Sequence, residues 1–219
     1  MAIKTEKEGL FLAVLYYMGL RKGEALGLRW EDINFDTQSA HIQRDIDYSG
    51  DGGAKPGALK TEAADRFVNI PEPLLEMFRK VRGFPGQYVF HTAEGKPLPE
   101  NTAKRMWLRL MLACGLVEER APSNTSRPND IIHRYKPTLT PHYFRHNYVT
   151  KLFESGTDPL IAMKMVGHRD YQTTANIYTH LSQEILKKHT VKLDEVFARE
   201  EELIKNGGKK PRYWSDDEE

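Results

Sequence analysis

Two helix start-and-stop signals set back to back, between Thr140 and Gly167, restrict this chain more than anything else in it. Thr140-Pro141 puts an N-cap residue ahead of a proline whose fixed φ suits a first helical turn. Gly156 stops that helix, Thr157 or Asp158 caps a second one opened by Pro159, and Gly167 ends it. Phe144, Tyr148, Val149, Leu152 and Phe153 mark the inward side of the first helix, and His142 and Arg145 are neighbours on one of its faces. His168 follows the second helix at once, and Tyr178 comes after Thr173-Thr174. A guanidinium, two imidazoles and a phenol thus fall in one short stretch whose turns can bring them together. That set suits chemistry on a phosphate.

The preceding chain supplies a scaffold. Residues 3–19 predict an amphipathic helix, with Leu10, Phe11, Val14, Leu15 and Met18 at helical spacing and Gly19 at its end. A short helix is expected from about Lys22 to Leu28, directly after Arg21. Residues 31–47 alternate as strands, with Ile33 and Phe35, then Ala40, Ile42 and Ile46, around a turn at Asp36-Thr37-Gln38. A glycine-rich segment leads to Leu59-Lys60-Thr61 and then to a strand from Arg66 to Ile70. Glu72 to Arg82 reads as a helix, Tyr88-Val89-Phe90 as a short apolar piece, and a further helix capped by Asn101 or Thr102 runs to Ala113. Residues 115–138 read as a loop longer than the usual connection, carrying Arg127, His133, Arg134 and Lys136. Phosphate contacts and a solvated loop are both open there. Beyond Tyr178, Ile185, Val191, Leu193, Val196, Phe197 and Leu203 form an apolar series, and from Gly207 the composition is that of a disordered tail.

Three boxes in order carry a family resemblance: His142-Tyr143-Phe144-Arg145, then Val166-Gly167-His168, then Thr173-Thr174-Ala175-Asn176-Ile177-Tyr178-Thr179-His180. Together they resemble the C-terminal signature of the tyrosine recombinases, the phage-integrase family. Upstream, Gly19-Leu20-Arg21-Lys22-Gly23-Glu24 resembles that family's first arginine box. Taken alone, Arg21 reads better as a surface arginine beside a helix start; coupled to the downstream boxes, it reads as the first catalytic arginine. The resemblance spans roughly Gly19 to His180 and implies a mainly α fold with a small three-stranded antiparallel sheet (α+β), the tyrosine recombinase catalytic-domain fold.

By the same resemblance the catalytic positions are Arg21, Lys60, His142, Arg145, His168 and Tyr178, with Glu24 as a supporting acid. Lys60 is the lysine of the sheet turn, by its place in Lys-Thr ahead of the Arg66 strand; Lys55 competes but lacks the following threonine. Tyr178 would be the nucleophile, giving a covalent 3′-phosphotyrosine. Lys60 would protonate the departing 5′ oxygen, and the histidines would bond the phosphate or move the tyrosine proton. The need for two arginines stands on charge alone, because cleavage spreads negative charge over the non-bridging oxygens, and a guanidinium stays charged and bonds them bidentately. Double-stranded DNA is the implied partner, with a homo-tetramer on DNA for the full-length protein and accessory DNA-bending or excision factors. No metal, cofactor or ATP is implied. The element behind such a protein would be a phage or conjugative transposon.

The expected organisation is a catalytic domain over 1–205, whose segment 181–205 docks either on a neighbouring protomer or on its own domain, followed by a disordered tail over 206–219. The family's N-terminal core-binding domain is not seen. A half clamp of this kind is expected to bind DNA weakly and to exchange strands poorly. Overall charge does not announce a nucleic-acid partner, since 32 Lys and Arg stand against 31 Asp and Glu, but Asp216-Asp217-Glu218-Glu219 concentrates acid at one end. The single Cys114 excludes an internal disulfide and accords with a cytoplasmic setting. The apolar run from Leu10 to Leu20 is too short to span a bilayer, so no membrane association is expected. The eight histidines show no close pair flanking an acid, there is no phosphate-cradling glycine loop, and neither a metal site nor nucleotide binding is indicated. His146 follows Arg145 directly and is expected to pack or face solvent. Two other functions use the same residues: a type IB topoisomerase-like DNA-relaxing enzyme, and a non-catalytic DNA-binding regulator on the same fold.

Overall fold

The computed structural model describes residues 6–49, 53–57, 64–120 and 131–167, together with the isolated helical positions Ala198, Glu202 and Lys205. The chain divides into two units, Met1–Ile177 and Tyr178–Glu219, and every element named below belongs to the first.

Helix α1 (Glu6–Met18) is the centre of packing. Leu10, Phe11, Val14, Leu15 and Met18 are all buried, as their spacing requires. Gly19 ends the helix in the left-handed region (φ 60°), where a side chain would both be strained and meet the Tyr148 ring at 2.3 Å. Helix α6 (Pro141–Glu154) therefore lies hard against the end of α1. Helix α2 (Lys22–Gly27) follows, then a 3-10 turn at Trp30–Asp32.

Strands β1 (Ile33–Asn34), β2 (Ser39–Ile42) and β5 (Arg66–Asn69) form an antiparallel sheet in the order β1-β2-β5, with Ala40 opposite Val68 and Ile42 opposite Arg66. Asp45–Asp47 (β3) and Lys55–Gly57 (β4) pair separately, so Ile46 serves a second small ribbon rather than the main sheet. Helices α3 (Glu72–Lys80) and α4 (Glu100–Ala113) complete the core through Leu74, Leu75, Phe78, Met106, Leu110 and Met111. The architecture is mainly helical with a small three-stranded antiparallel sheet.

Several boundaries differ from the expectations. Helix α3 stops at Lys80, short of Arg82. Helix α4 starts at Glu100 behind an N-cap Pro99, not at Asn101 or Thr102, because Glu100 pairs with Lys104 one turn on at 2.8 Å. Residues 115–138 are not simply loop. Val117–Glu119 (β6) and Tyr135–Pro137 (β7) pair antiparallel, with a short helix α5 (Ile131–Arg134) ahead of β7. Neither strand has an alternating apolar pattern, so only tertiary pairing reveals them. Thr140 occupies the N-cap of α6 without a side-chain capping bond, whereas Asp158 caps α7 (Pro159–Val166) by accepting from the amides of Leu160 and Ile161. No helix among the described residues is long and apolar enough to cross a membrane.

Candidate active site

The site is built around one carboxylate. Glu24, in the first turn of α2 and 1% exposed, reaches back to the residue before the helix: its Oε2 accepts from the Arg21 backbone N–H at 2.9 Å. Its Oε1 accepts from Arg21 Nη1 at 2.6 Å. A second guanidinium comes from β5, with Arg66 Nη2 donating to Oε2 at 3.0 Å. A third comes from α6, where Arg145 Nη1 lies 3.7 Å from Oε2. Burial alone would push the Glu24 carboxyl up. Arg66, Arg145 and the Arg21 amide outweigh it and hold the group below its ordinary range, so it is ionised at neutral pH.

Among the described residues three guanidiniums share this one carboxylate, and backbone carbonyls accept from their other donors. The last two carbonyls of α7 and that of its C-cap Gly167, at the negative end of the helix dipole, each accept from a different arginine. Arg66 Nε donates to Met165 O at 2.8 Å, Arg145 Nη2 to Val166 O at 2.5 Å and Arg21 Nη2 to Gly167 O at 3.2 Å. Arg145 also donates to Gly19 O at 3.1 Å, tying α6 to the end of α1. Burial pushes the Arg145 guanidinium down to about 9 against the pull of Glu24, which leaves it a cation at neutral pH.

The arginines differ in access. The Arg145 side chain is 2% exposed, while that of Arg21 is 31% exposed and lines a cleft of about 760 Å³. His142 lines the same cleft from the first turn of α6, with Lys22, Tyr48 and Thr140 nearby and Asp45, Asp47 and Glu100 along its acidic wall. Partial burial lowers the His142 imidazole first, then the His146 ring and the charges of Arg145 and Arg21. His142 is therefore neutral near pH 7, able to donate from one ring nitrogen and accept at the other.

The structure thus brings Arg21, Glu24, Arg145 and His142 into one neighbourhood. Lys60, His168 and Tyr178 lie outside the described residues, as do the tail over 206–219 and the expected helical segment over 181–205 apart from the helical positions Ala198, Glu202 and Lys205. His146 is exposed, as expected, but sits edge-on to His142 with ring centroids 4.6 Å apart. Arg66 was missed as a site residue. Its signal was parity: β5 alternates buried and exposed from Arg66 onward, so an arginine shares the inward face with Val68.

The phage integrase family model matches residues 3–184. The chain belongs to the phage integrase family. It is 30% identical to a XerC-like tyrosine recombinase of Caldanaerobacter subterraneus subsp. tengcongensis, over 82% of this chain and 47% of that protein. It is 26% identical to transposase A from transposon Tn554 of Staphylococcus aureus, over 85% of this chain and 47% of the relative. Among solved structures, the Tn1549 transposon integrase in complex with transposon right end DNA superposes with a TM-score of 0.64 at 21% identity, over 86% of this chain and 59% of that one. The chain spans about half the length of the curated relatives it matches.

Proposed function

We propose that this chain is the catalytic domain, over residues 1–205, of a site-specific DNA recombinase of a mobile element. It cuts and rejoins strands through a covalent 3′-phosphotyrosine on Tyr178. The observation that carries the reading is the convergence of Arg21 and Arg145 on Glu24 beside a cleft that His142 lines. Family membership and a fold shared with DNA-bound transposon integrase support it.

The residues divide the work by their chemistry. The Tyr178 oxygen attacks the scissile phosphorus and forms the phosphotyrosine bond as the bond to the 5′ oxygen breaks. That oxygen takes a proton from Lys60, while His142 and His168 bond the phosphate or receive the tyrosine proton. Arg21 and Arg145 stabilise the charge gathering on the non-bridging oxygens, usually the largest catalytic contribution. Attack by a new 5′ hydroxyl reverses the step and reseals a strand, and the stored phosphodiester makes ATP unnecessary. Double-stranded DNA is the substrate, a tetramer of the full-length protein its working form, and the cytoplasm its setting, with DNA-bending or excision factors as accessory partners.

The test is a pool of nicked duplexes randomised around the nick, incubated with the chain at low salt and run on a denaturing gel. A protein–DNA adduct absent from Tyr178→Phe is the expected result. Tight binding without an adduct would replace this reading with a DNA-binding regulator. Relaxation of supercoiled plasmid without strand exchange would replace it with a topoisomerase.

A further inference from the structure

Of the three guanidiniums of the cluster only Arg21 lines the cleft; Arg66, like Arg145, lies behind it. Arg66 is 8% exposed, and it reaches every part of the site's frame. From β5 it donates to both oxygens of Glu24, at 3.0 and 3.4 Å, to Ala64 O at 2.8 Å and to Met165 O at 2.8 Å. Glu24 in turn orients Arg21 through two bonds and draws in Arg145. Met165 belongs to the last turn of α7, whose next two carbonyls accept from Arg145 and Arg21 and which leads directly into His168.

We infer that Arg66 is a positioning residue for phosphoryl transfer: by fixing Glu24 and the end of α7 together, it sets where Arg21 and Arg145 present their donors. The inference rests on the proposed function above and deepens it.

The physical argument is one of sharing. Glu24 forms ion pairs with all three arginines, so it must serve several cations without surrendering its geometry. A bidentate, permanently charged fork from a third direction fixes both carboxylate oxygens at once. Arg21 can then orient its fork toward the cleft while resting on a carboxylate that does not swing. The same Arg66 Nε anchors the α7 carbonyl next to those held by Arg145 and Arg21. An untethered turn would displace both arginines together. Lysine in its place keeps the charge but is a point donor that cannot span Glu24 and Met165 at once.

The test compares Arg66→Gln and Arg66→Lys with the wild-type chain on the nicked duplexes that yield an adduct. It records the single-turnover rate of adduct formation, DNA affinity, the pH profile of the rate and thermal melting. For Arg66→Gln a rate loss of about 100-fold is expected, the scale of a small misplacement of catalytic groups, with affinity within about two-fold of wild type. Arg66→Lys should recover about ten-fold of that loss by restoring charge without the fork. The groups facing Glu24 are Arg21, Arg145 and Arg66, with His142 across the cleft. With Arg66 neutralised, burial gains on the remaining cations and the Glu24 carboxyl moves up. The Arg66→Gln rate should therefore fall as pH is lowered through a region where wild type and Arg66→Lys are flat. Wild-type rates and profiles in both variants would overturn the inference while leaving the proposed function standing. A parallel loss of DNA affinity and rate in a folded Arg66→Lys would also overturn it, by making Arg66 a binding residue. If Arg66→Gln does not fold, a folded Arg66→Lys with the wild-type rate overturns it alone. Absence of any adduct from the wild-type chain would sink the proposed function and this inference with it.

Discussion

Glu24 is the residue whose loss should be felt most. Replacing it by glutamine removes the carboxylate that pairs with buried Arg66 and Arg145, a change that costs about 3–5 kcal/mol when one partner of a buried ion cluster is removed. Urea unfolding of Glu24→Gln at pH 7 measures it, and a loss below about 1 kcal/mol would mean that the α7 carbonyls alone satisfy the arginines. The sign of the pH dependence follows from the direction of the shift. The folded carboxyl lies below its ordinary value of 4.5, so between the two values the unfolded chain holds more protons. Stability from this group is complete above about pH 4.5 and is lost as pH falls through the lower, folded value. Glu24→Gln should lack that segment of the acid unfolding curve. His142 gives a second case. Its imidazole is held low in part by the His146 ring, so His146→Ala should move the acid limb of the adduct-forming rate toward higher pH. An unmoved limb would mean that burial and the arginines account for His142 by themselves.

At the scale of elements, the turn between α1 and α2 is the tightest joint. Gly19 supplies a left-handed turn, room for the Tyr148 ring and a carbonyl for Arg145. Gly19→Ala should therefore cost about 2 kcal/mol or more by combining backbone strain with overpacking, checked by chemical denaturation. A neutral substitution would show that α6 slides away from α1 at little cost. These joints also show what could be read from the chain alone. Helices α1, α3, α6 and α7 announce themselves through periodic leucines and aromatics and through proline and glycine at their ends. The α6 box was legible because Pro141, His142 and Arg145 fall within one turn of a marked helix start. Arg66 was not, because an arginine inside an Arg-Phe-Val-Asn strand has the same letters whether it faces solvent or a buried glutamate 42 residues earlier in the chain. The β6–β7 pair was hidden for a related reason. Val117-Glu118-Glu119 and Tyr135-Lys136-Pro137 carry no local strand pattern, and their partners lie far apart in sequence. The convergence of three arginines on three successive carbonyls is likewise a property of packing, in which the end of α7 is brought to residues from α2, β5 and α6.

For the molecule as a whole, Arg66 and Arg145 are buried, and the cleft that Arg21 lines carries Asp45, Asp47 and Glu100 on its wall. The 219-residue chain should therefore bind duplex DNA only modestly, with a dissociation constant in the micromolar range or weaker at physiological salt, and should weaken further as salt rises. Nanomolar binding at that salt would contradict this expectation. The central claim is narrower than affinity: a phenol is brought to a phosphorus that two guanidiniums prepare. Peptide mapping of the trapped protein–DNA adduct by tandem mass spectrometry tests it most directly. The account predicts that the nucleotide is carried on Tyr178 and that Arg21→Ala and Arg145→Ala each abolish it. A nucleotide found on any other residue, or an adduct that survives both arginine substitutions, would contradict it.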